Sequence, residues 1–228
     1  HVTRFHTGLL YMAGFGSLMM DQSMQELSTK TGTSTLGITF RNGVVIGADH
    51  RATMGNFIAN KNVQKLFLVS DRIALTTAGL VGHAQRLARM LRAEIALYEL
   101  KREVPMTVKA AATMMSNVLS NRPHWVQLLI GGCDDDGGHV YSIDSAGGSI
   151  PDVYSATGSG SPFMYGVLED GFQEDMTRDE ALKLAGRALR ASSKRDSASG
   201  DGMDLCVISS KGSEMLDRAQ IDALLKSL

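Results

Sequence analysis

Hydrophobic and polar positions along this chain follow two rhythms, and the rhythm changes in blocks. Residues 35–40 (TLGITF) and 44–48 (VVIGA) are apolar, β-branched runs on either side of Arg41-Asn42-Gly43. Asn-Gly between two such runs signals a tight hairpin, because both residues tolerate positive φ. A second hairpin is predicted where residues 65–69 and 73–79 flank Ser70-Asp71-Arg72. Between the hairpins, residues 52–63 show no clear period and read as a loose segment.

From Leu80 the period lengthens. Leu80, Ala84, Leu87, Leu91, Ile95 and Tyr98 recur every three or four positions, which predicts an amphipathic helix of about five turns. Val104-Pro105 interrupts it, since a residue before proline is pushed out of the helical region. A second helix is predicted from about Thr107 to Leu119. Short strands follow at 126–132, 139–144, 149–150 and 153–158, with Gly-rich turns between them. Ser161-Pro162 predicts another helix start, with Ser161 as N-cap and Pro162 at the first position. Thr177-Arg178-Asp179-Glu180 has the form of a capping box opening a fourth helix. Residues 203–210 (MDLCVISS) read as a last buried strand, and Asp217 opens a short terminal helix. Strands in blocks and helices in pairs predict an α+β fold of antiparallel sheets covered by helical layers, not a chain of βαβ crossovers.

The first 32 residues carry no such pattern. Residues 8–20 are uncharged and follow Arg4 and His6, as in a signal peptide. No A-x-A site follows, and the run falls short of the roughly 20 residues that span a bilayer. The segment is read as a removable or partly mistranslated leader. Met12, Met19, Met20 and Met24 are all candidate starts.

Composition narrows the function classes. The 228 residues are 43% hydrophobic and 21% charged, enough for a full core in one domain. A net charge of -1 gives no overall field toward nucleic acid or an anionic membrane. The two cysteines, Cys133 and Cys206, lie in apolar strand-like runs and read as reduced core residues. No metal signature, phosphate-binding loop or G-x-S-x-G elbow is present, and Asp134-Asp135-Asp136 reads as a solvated turn. No metal or cofactor is expected.

The remaining candidate chemistry centres on Thr33, with Asp49, Lys65 and Gly79. A threonine hydroxyl is a poor nucleophile unless something takes its proton. A free α-amine, with a pKa of about 7.7–8.0, could do so if the chain were cut between Gly32 and Thr33. A nearby lysine would favour the neutral amine by like-charge repulsion, and would itself need a carboxylate partner if buried. Taken alone, these residues also admit plain readings: Thr33 opening a strand, Asp49 and Lys65 as a surface pair, Gly79 as a turn residue.

Six fragments in order decide between them. Residues 32–37 (GTSTLG), 43–53 (GVVIGADHRAT), 61–67 (KNVQKLF), 76–85 (TTAGLVGHAQ), 156–163 (ATGSGSPF) and 195–200 (RDSASG) make residues 25–228 closely resemble a proteasome β subunit of the archaeal type, within the N-terminal nucleophile hydrolases. The resemblance implies a four-layer αββα sandwich, with a leader over 1–32 and a catalytic domain over 33–228. It implies that Thr33 is the nucleophile, Asp49 and Lys65 the tuning pair, and the Gly79 amide the oxyanion donor. Ser161, Asp196 and Ser199 would support the Thr33 amine, and Arg51 would be structural. Thr53, Gly79 and Val81 would pair with an extended substrate, while Ala52, Val63, Thr77 and Val81 would line the pocket before the cut.

It further implies autocatalytic cleavage at Gly32-Thr33 and a cytoplasmic threonine endopeptidase acting on unfolded polypeptides. Its partners would be proteasome α subunits, other β subunits in two stacked heptameric rings, and a regulatory ATPase unfoldase. Neither nucleic acid nor membrane is expected as a partner. Two departures from the family pattern stand out: Ser34 where threonine is common, and a long leader. A start at Met20 would leave the 13-residue leader MDQSMQELSTKTG. An N-terminal nucleophile amidase of small molecules and an inactive structural β subunit are the alternatives; joint retention of Thr33, Asp49 and Lys65 counts against the second.

Overall fold

A computed structural model describes residues 32–122 and 124–228. The leader expected over 1–32 therefore lies outside the described residues except for Gly32. Among the described residues, twelve strands run in chain order with five helices between and after them. β1 (Thr35–Phe40), β2 (Gly43–Asp49), β10 (Tyr154–Thr157), β11 (Met203–Ser209) and β12 (Gly212–Met215) form one antiparallel sheet, ordered β10-β1-β2-β11-β12. β5 (Leu66–Ser70), β6 (Ile73–Gly79), β7 (Val126–Asp134), β8 (Gly137–Ile143) and β9 (Ser149–Asp152) form a second antiparallel sheet in sequence order. β3 (Ala52–Met54) and β4 (Phe57–Asn60) make a separate small hairpin.

Three buried clusters define the layers. α1 (Val81–Arg102) and α2 (Val108–Asn121) place Leu87, Leu91, Ile95, Val108 and Met115 against Leu75, Leu128 and Ile130 of the second sheet. α3 (Ser161–Gly171) and α4 (Arg178–Arg195) place Met164, Leu168, Ala185 and Leu189 against Leu36, Ile38, Val45 and Leu205 of the first sheet. α5 (Arg218–Lys226) adds Ile221 and Leu224 to that side. Between the sheets, Val44, Ile46 and Ala48 meet Leu129, Val140 and Ile208. β2 is thus buried along its whole length, which is why its sequence is a continuous apolar run instead of an alternating one. Each fully buried Leu or Ile contributes ~1.5–3 kcal/mol relative to exposure. The result is the expected four-layer αββα sandwich.

Local signals explain most boundaries. Thr177 and Glu180 form the full capping box of α4, and Asp217 and Gln220 form another at α5. α1 ends at Glu103, which takes a left-handed φ of 57° and donates its N–H to Glu99 O, just ahead of Pro105. Two expectations need correction. Residues 52–63 are not wholly loose, because β3 and β4 pair there; their side chains are mostly exposed, so burial imposed no alternation on the sequence. β12 continues the chain after β11 as an edge strand, also without a buried alternating face.

Candidate active site

Four strand termini converge at one end of the sandwich. Thr33 lies just before β1, Asp49 ends β2, Lys65 immediately precedes β5, and Gly79 ends β6. Pairing of Thr35 with Ala48 sets the first two side by side. Thr33, Asp49 and Lys65 are all buried, at 4%, 2% and 5% exposure.

Burying a charge is costly unless it is paired and hydrogen-bonded. Asp49 meets both conditions. Its Oδ1 accepts from Lys65 Nζ at 2.6 Å and from the Ser34 amide at 2.9 Å. Its Oδ2 accepts from the amides of Gly200 at 2.9 Å and Arg51 at 3.1 Å. Lys65 Nζ also donates to the Arg51 carbonyl at 2.5 Å. Burial pushes the Lys65 ammonium below the usual lysine pKa, and the attraction of Asp49 only partly opposes this.

Thr33 sits in a second network. Its hydroxyl donates to the Gly32 carbonyl oxygen at 2.6 Å, and its amide donates to Ser159 Oγ at 3.2 Å. Ser159 and Ser199 both donate to Asp196 Oδ2 at 2.6 Å. A hydroxyl has one proton. With the Ser199 proton on Asp196, Ser34 Oγ must donate to Ser199 at 2.7 Å, and Ser192 must donate to Ser34. The chain of hydroxyls therefore runs in one direction, toward the Asp196 carboxylate.

Gly32 is held by donation from its N–H to Thr53 Oγ1 at 3.0 Å. A Cβ on Gly32 would lie 1.7 Å from Ala198 Cβ, so no side chain fits before Thr33 in this arrangement. Gly79 has a φ of 126°, and a Cβ there would meet the Trp125 carbonyl oxygen at 2.3 Å. Glycine alone turns β6 into α1 this way.

A pocket of 240 Å³ opens beside these residues, lined by Gly32, Thr33, Lys65 and Gly79. Ala52, Thr53, Val63, Thr77 and Val81, the residues expected to contact substrate, all line it. Met54, Ala59 and Leu80 also line it and were not foreseen. Among the described residues no group of His, Cys, Asp and Glu could hold a metal ion.

One expected supporting residue is placed differently. Ser161 does not reach Thr33: it is the first residue of α3, behind Gly160 as N-cap, and its amide donates to Gly158 O. Ser159 occupies the expected position against the Thr33 amide. The sequence Gly158-Ser159-Gly160-Ser161-Pro162 offers two serines two positions apart, and Pro162 places the expected helix start one residue late. Ser192, on α4, was also missed; nothing in a mid-helix serine distinguishes it before the helix is docked.

Comparison with known proteins shows the family of the chain. The model of the proteasome subunit family matches residues 29–208. A proteasome subunit beta of Ferroglobus placidus is 50% identical over 201 residues, covering 86% of this chain and 96% of its own. That of Methanosarcina barkeri is also 50% identical over 201 residues, covering 86% and 95%. That of Thermoplasma acidophilum is 48% identical over 203 residues, covering 87% and 96%. Likeness of this extent, over a chain folded as a four-layer sandwich, places it: the chain belongs to the proteasome subunit family, as a β subunit of the archaeal type.

Proposed function

We propose that this chain matures into a threonine endopeptidase by cutting its own Gly32–Thr33 bond. The observation that carries the reading is the buried Thr33 hydroxyl held 2.6 Å from the Gly32 carbonyl oxygen, at the inner end of a hydrogen-bonded network that runs outward through Ser159 to Asp196. In the first step Thr33 Oγ1 attacks the Gly32 carbonyl carbon. The hydroxyl proton passes to the Thr33 nitrogen as the C–N bond breaks, and an ester joins Gly32 to the Thr33 oxygen. Water then hydrolyses the ester, releasing the leader with a Gly32 carboxylate and leaving Thr33 with a free amine and a free hydroxyl.

In turnover the amine takes the hydroxyl proton as Oγ1 attacks a substrate carbonyl, and later delivers it to the leaving amine. The neighbouring Lys65 ammonium favours the neutral, basic form of that amine. Asp49 holds Lys65 and the Ser34 amide on one oxygen, which fixes nucleophile and lysine relative to each other. The Gly79 N–H is the oxyanion donor; loss of one such donor typically costs ~10²–10³-fold in rate. Ser159, Ser199 and Asp196 orient the amine that forms from the Thr33 amide.

The pocket takes the substrate side chain before the cut. Ala52, Val63, Thr77 and Val81 give it an uncharged wall, and the Lys65 ammonium is committed to Asp49 and Arg51 O. The reading is therefore cleavage after apolar or large neutral side chains of unfolded polypeptides. The working particle would contain stacked heptameric β rings, α-subunit rings and a regulatory ATPase, with the leader blocking Thr33 until assembly.

Intact mass of the assembled particle tests this directly. The expected β mass begins at Thr33, and a full-length mass in an assembled, active particle overturns the reading. Thr33→Ala is expected to retain its leader and lose peptide cleavage while keeping its fold. Turnover by that variant would reject Thr33 as the nucleophile.

A further inference from the structure

Asp49-His50-Arg51 places three ionisable side chains in succession where β2 leaves its sheet, and all three grip the same segment. Asp49 Oδ2 accepts the Gly200 amide. The His50 amide donates to the carbonyls of Gly200 and Gly202, each at 3.2 Å. Arg51 Nε donates to Asp201 Oδ2 at 2.7 Å, and its Nη1 to Ser197 O at 2.8 Å. His50 Nε2 meets Asp204 Oδ1 at 2.8 Å, one residue into β11.

The gripped segment does not hold its shape by local preference. Gly200, Asp201 and Gly202 have φ values of 148°, 61° and 119°, three successive residues in a region L side chains avoid. The two glycines are also where the straps press. A Cβ on Gly200 would lie 2.9 Å from Arg51 Nη2, and one on Gly202 would lie 2.8 Å from His50 Nδ1. This segment presents Asp196 and Ser199 to the Thr33 network and the Gly200 amide to Asp49.

We propose that His50 is a positioning residue for the reaction: its ion pair with Asp204 pins the 196–204 segment against the end of β2 and so keeps the Thr33 and Asp49 networks in register. Arg51 fastens the outer side of the same turn; His50 fastens the side that enters β11. The role of His50 rests on the reading of Thr33 as nucleophile.

His50 is the strap that titrates. Its imidazole is held above the usual histidine pKa, first by the hydrogen bond to Asp204, against the opposing effect of burial. Asp49 favours the charged form as well, and Lys65 disfavours it. Lys61, Asp201, Arg218 and Asp222 border the same depression. The folded state therefore prefers protonated His50. The charged strap is intact at pH below the free imidazole range, and it is lost as pH rises through the raised pKa of the folded state.

The test uses the assembled, leader-free particle with a fluorogenic peptide across pH 5.5–9. His50→Gln keeps a hydrogen-bond donor without the charge, and Asp204→Asn removes the opposite charge. Each is expected to lower kcat by ~3–10-fold at neutral pH with KM changed less than about twofold. The double variant is expected to be no worse than the poorer single one, because the two remove the same interaction. In wild type a falling limb above the raised histidine pKa is expected, and His50→Gln should abolish that limb while keeping the rising limb of the Thr33 amine. Unchanged kcat and pH profile in both single variants overturns the proposal, as does a change confined to KM.

A second arm needs neither a variant nor turnover. Hydrogen exchange at Gly200–Asp204 of the wild-type particle, corrected for intrinsic rate, should lose protection through the same pH range. Protection independent of pH there overturns the strap even if Thr33 is confirmed, and pH-dependent protection with an active Thr33→Ala variant would instead reject the nucleophile.

Discussion

Asp49 and Lys65 meet at 2.6 Å with side chains only 3% and 6% exposed. Each charge depends on the other for most of its compensation, because both side chains are almost wholly withdrawn from water. Breaking such a pair typically costs ~3–5 kcal/mol, because an uncompensated charge stays buried. Lys65→Ala should therefore destabilise the subunit strongly as well as stop leader removal. Asp49→Asn combined with Lys65→Met keeps an acceptor oxygen toward the Ser34, Gly200 and Arg51 amides and should recover part of that stability in urea unfolding while the leader stays attached. Equal stability of Lys65→Ala and wild type would show that the pair is not energetically buried.

The closed space at Gly32 gives a second prediction. Gly32→Ala should slow leader removal severely, because its methyl group would collide with Ala198. Adding Ala198→Gly opens that space and should restore part of the processing. Intact mass over time reads both variants. Normal processing of Gly32→Ala alone would mean that Gly32 does not occupy this position when the bond is cut.

Ser159 and Ser161 separate cleanly by substitution. Ser159→Ala removes the hydroxyl between the Thr33 amide and Asp196 and should lower peptide hydrolysis by ~10–100-fold, about the range for one positioned proton-handling group. Ser161→Ala should stay within about twofold of wild type, since that residue serves the start of α3. The reverse order of effects would restore the expectation drawn from the sequence.

The two thiols should be silent in the native protein. Burial pushes the Cys206 thiol up to about 12 and raises Cys133 as well. A higher pKa means less thiolate, which is the reactive form. Iodoacetamide at pH 8 should label neither residue until the protein is unfolded. Labelling of Cys206 in the folded particle would contradict its place between the sheets.

The fold was legible wherever burial imposed a period or a turn needed a particular residue. Asn42-Gly43 marked the β1–β2 hairpin, the three-to-four spacing marked α1, and Thr177 with Glu180 marked the start of α4. β3, β4 and β12 escaped because exposed strands carry little alternation. The site was less legible, for a geometric reason. Thr33, Asp49, Lys65 and Gly79 come together through pairings such as Thr35 with Ala48 and Thr77 N–H with Lys65 O, which local sequence does not fix. Resemblance supplied that convergence. It could not choose between Ser159 and Ser161, because a shift of two positions within a Gly-Ser repeat reverses which hydroxyl faces inward.

Chain ends usually fray, and a catalyst made from a chain end inherits that problem. The position of β1 removes it. β1 is an interior strand, laddered to β10 on one side and β2 on the other from Thr35 onward. The Thr33 carbonyl is also tied to the Gly160 amide, and the Ser34 carbonyl to the Asp49 amide. Under the proposed cleavage before Thr33, the new terminus would already be clamped from both flanks within two residues of its first atom. The proposed catalytic amine would thus sit on what is ordinarily the least constrained part of a polypeptide and still be aimed.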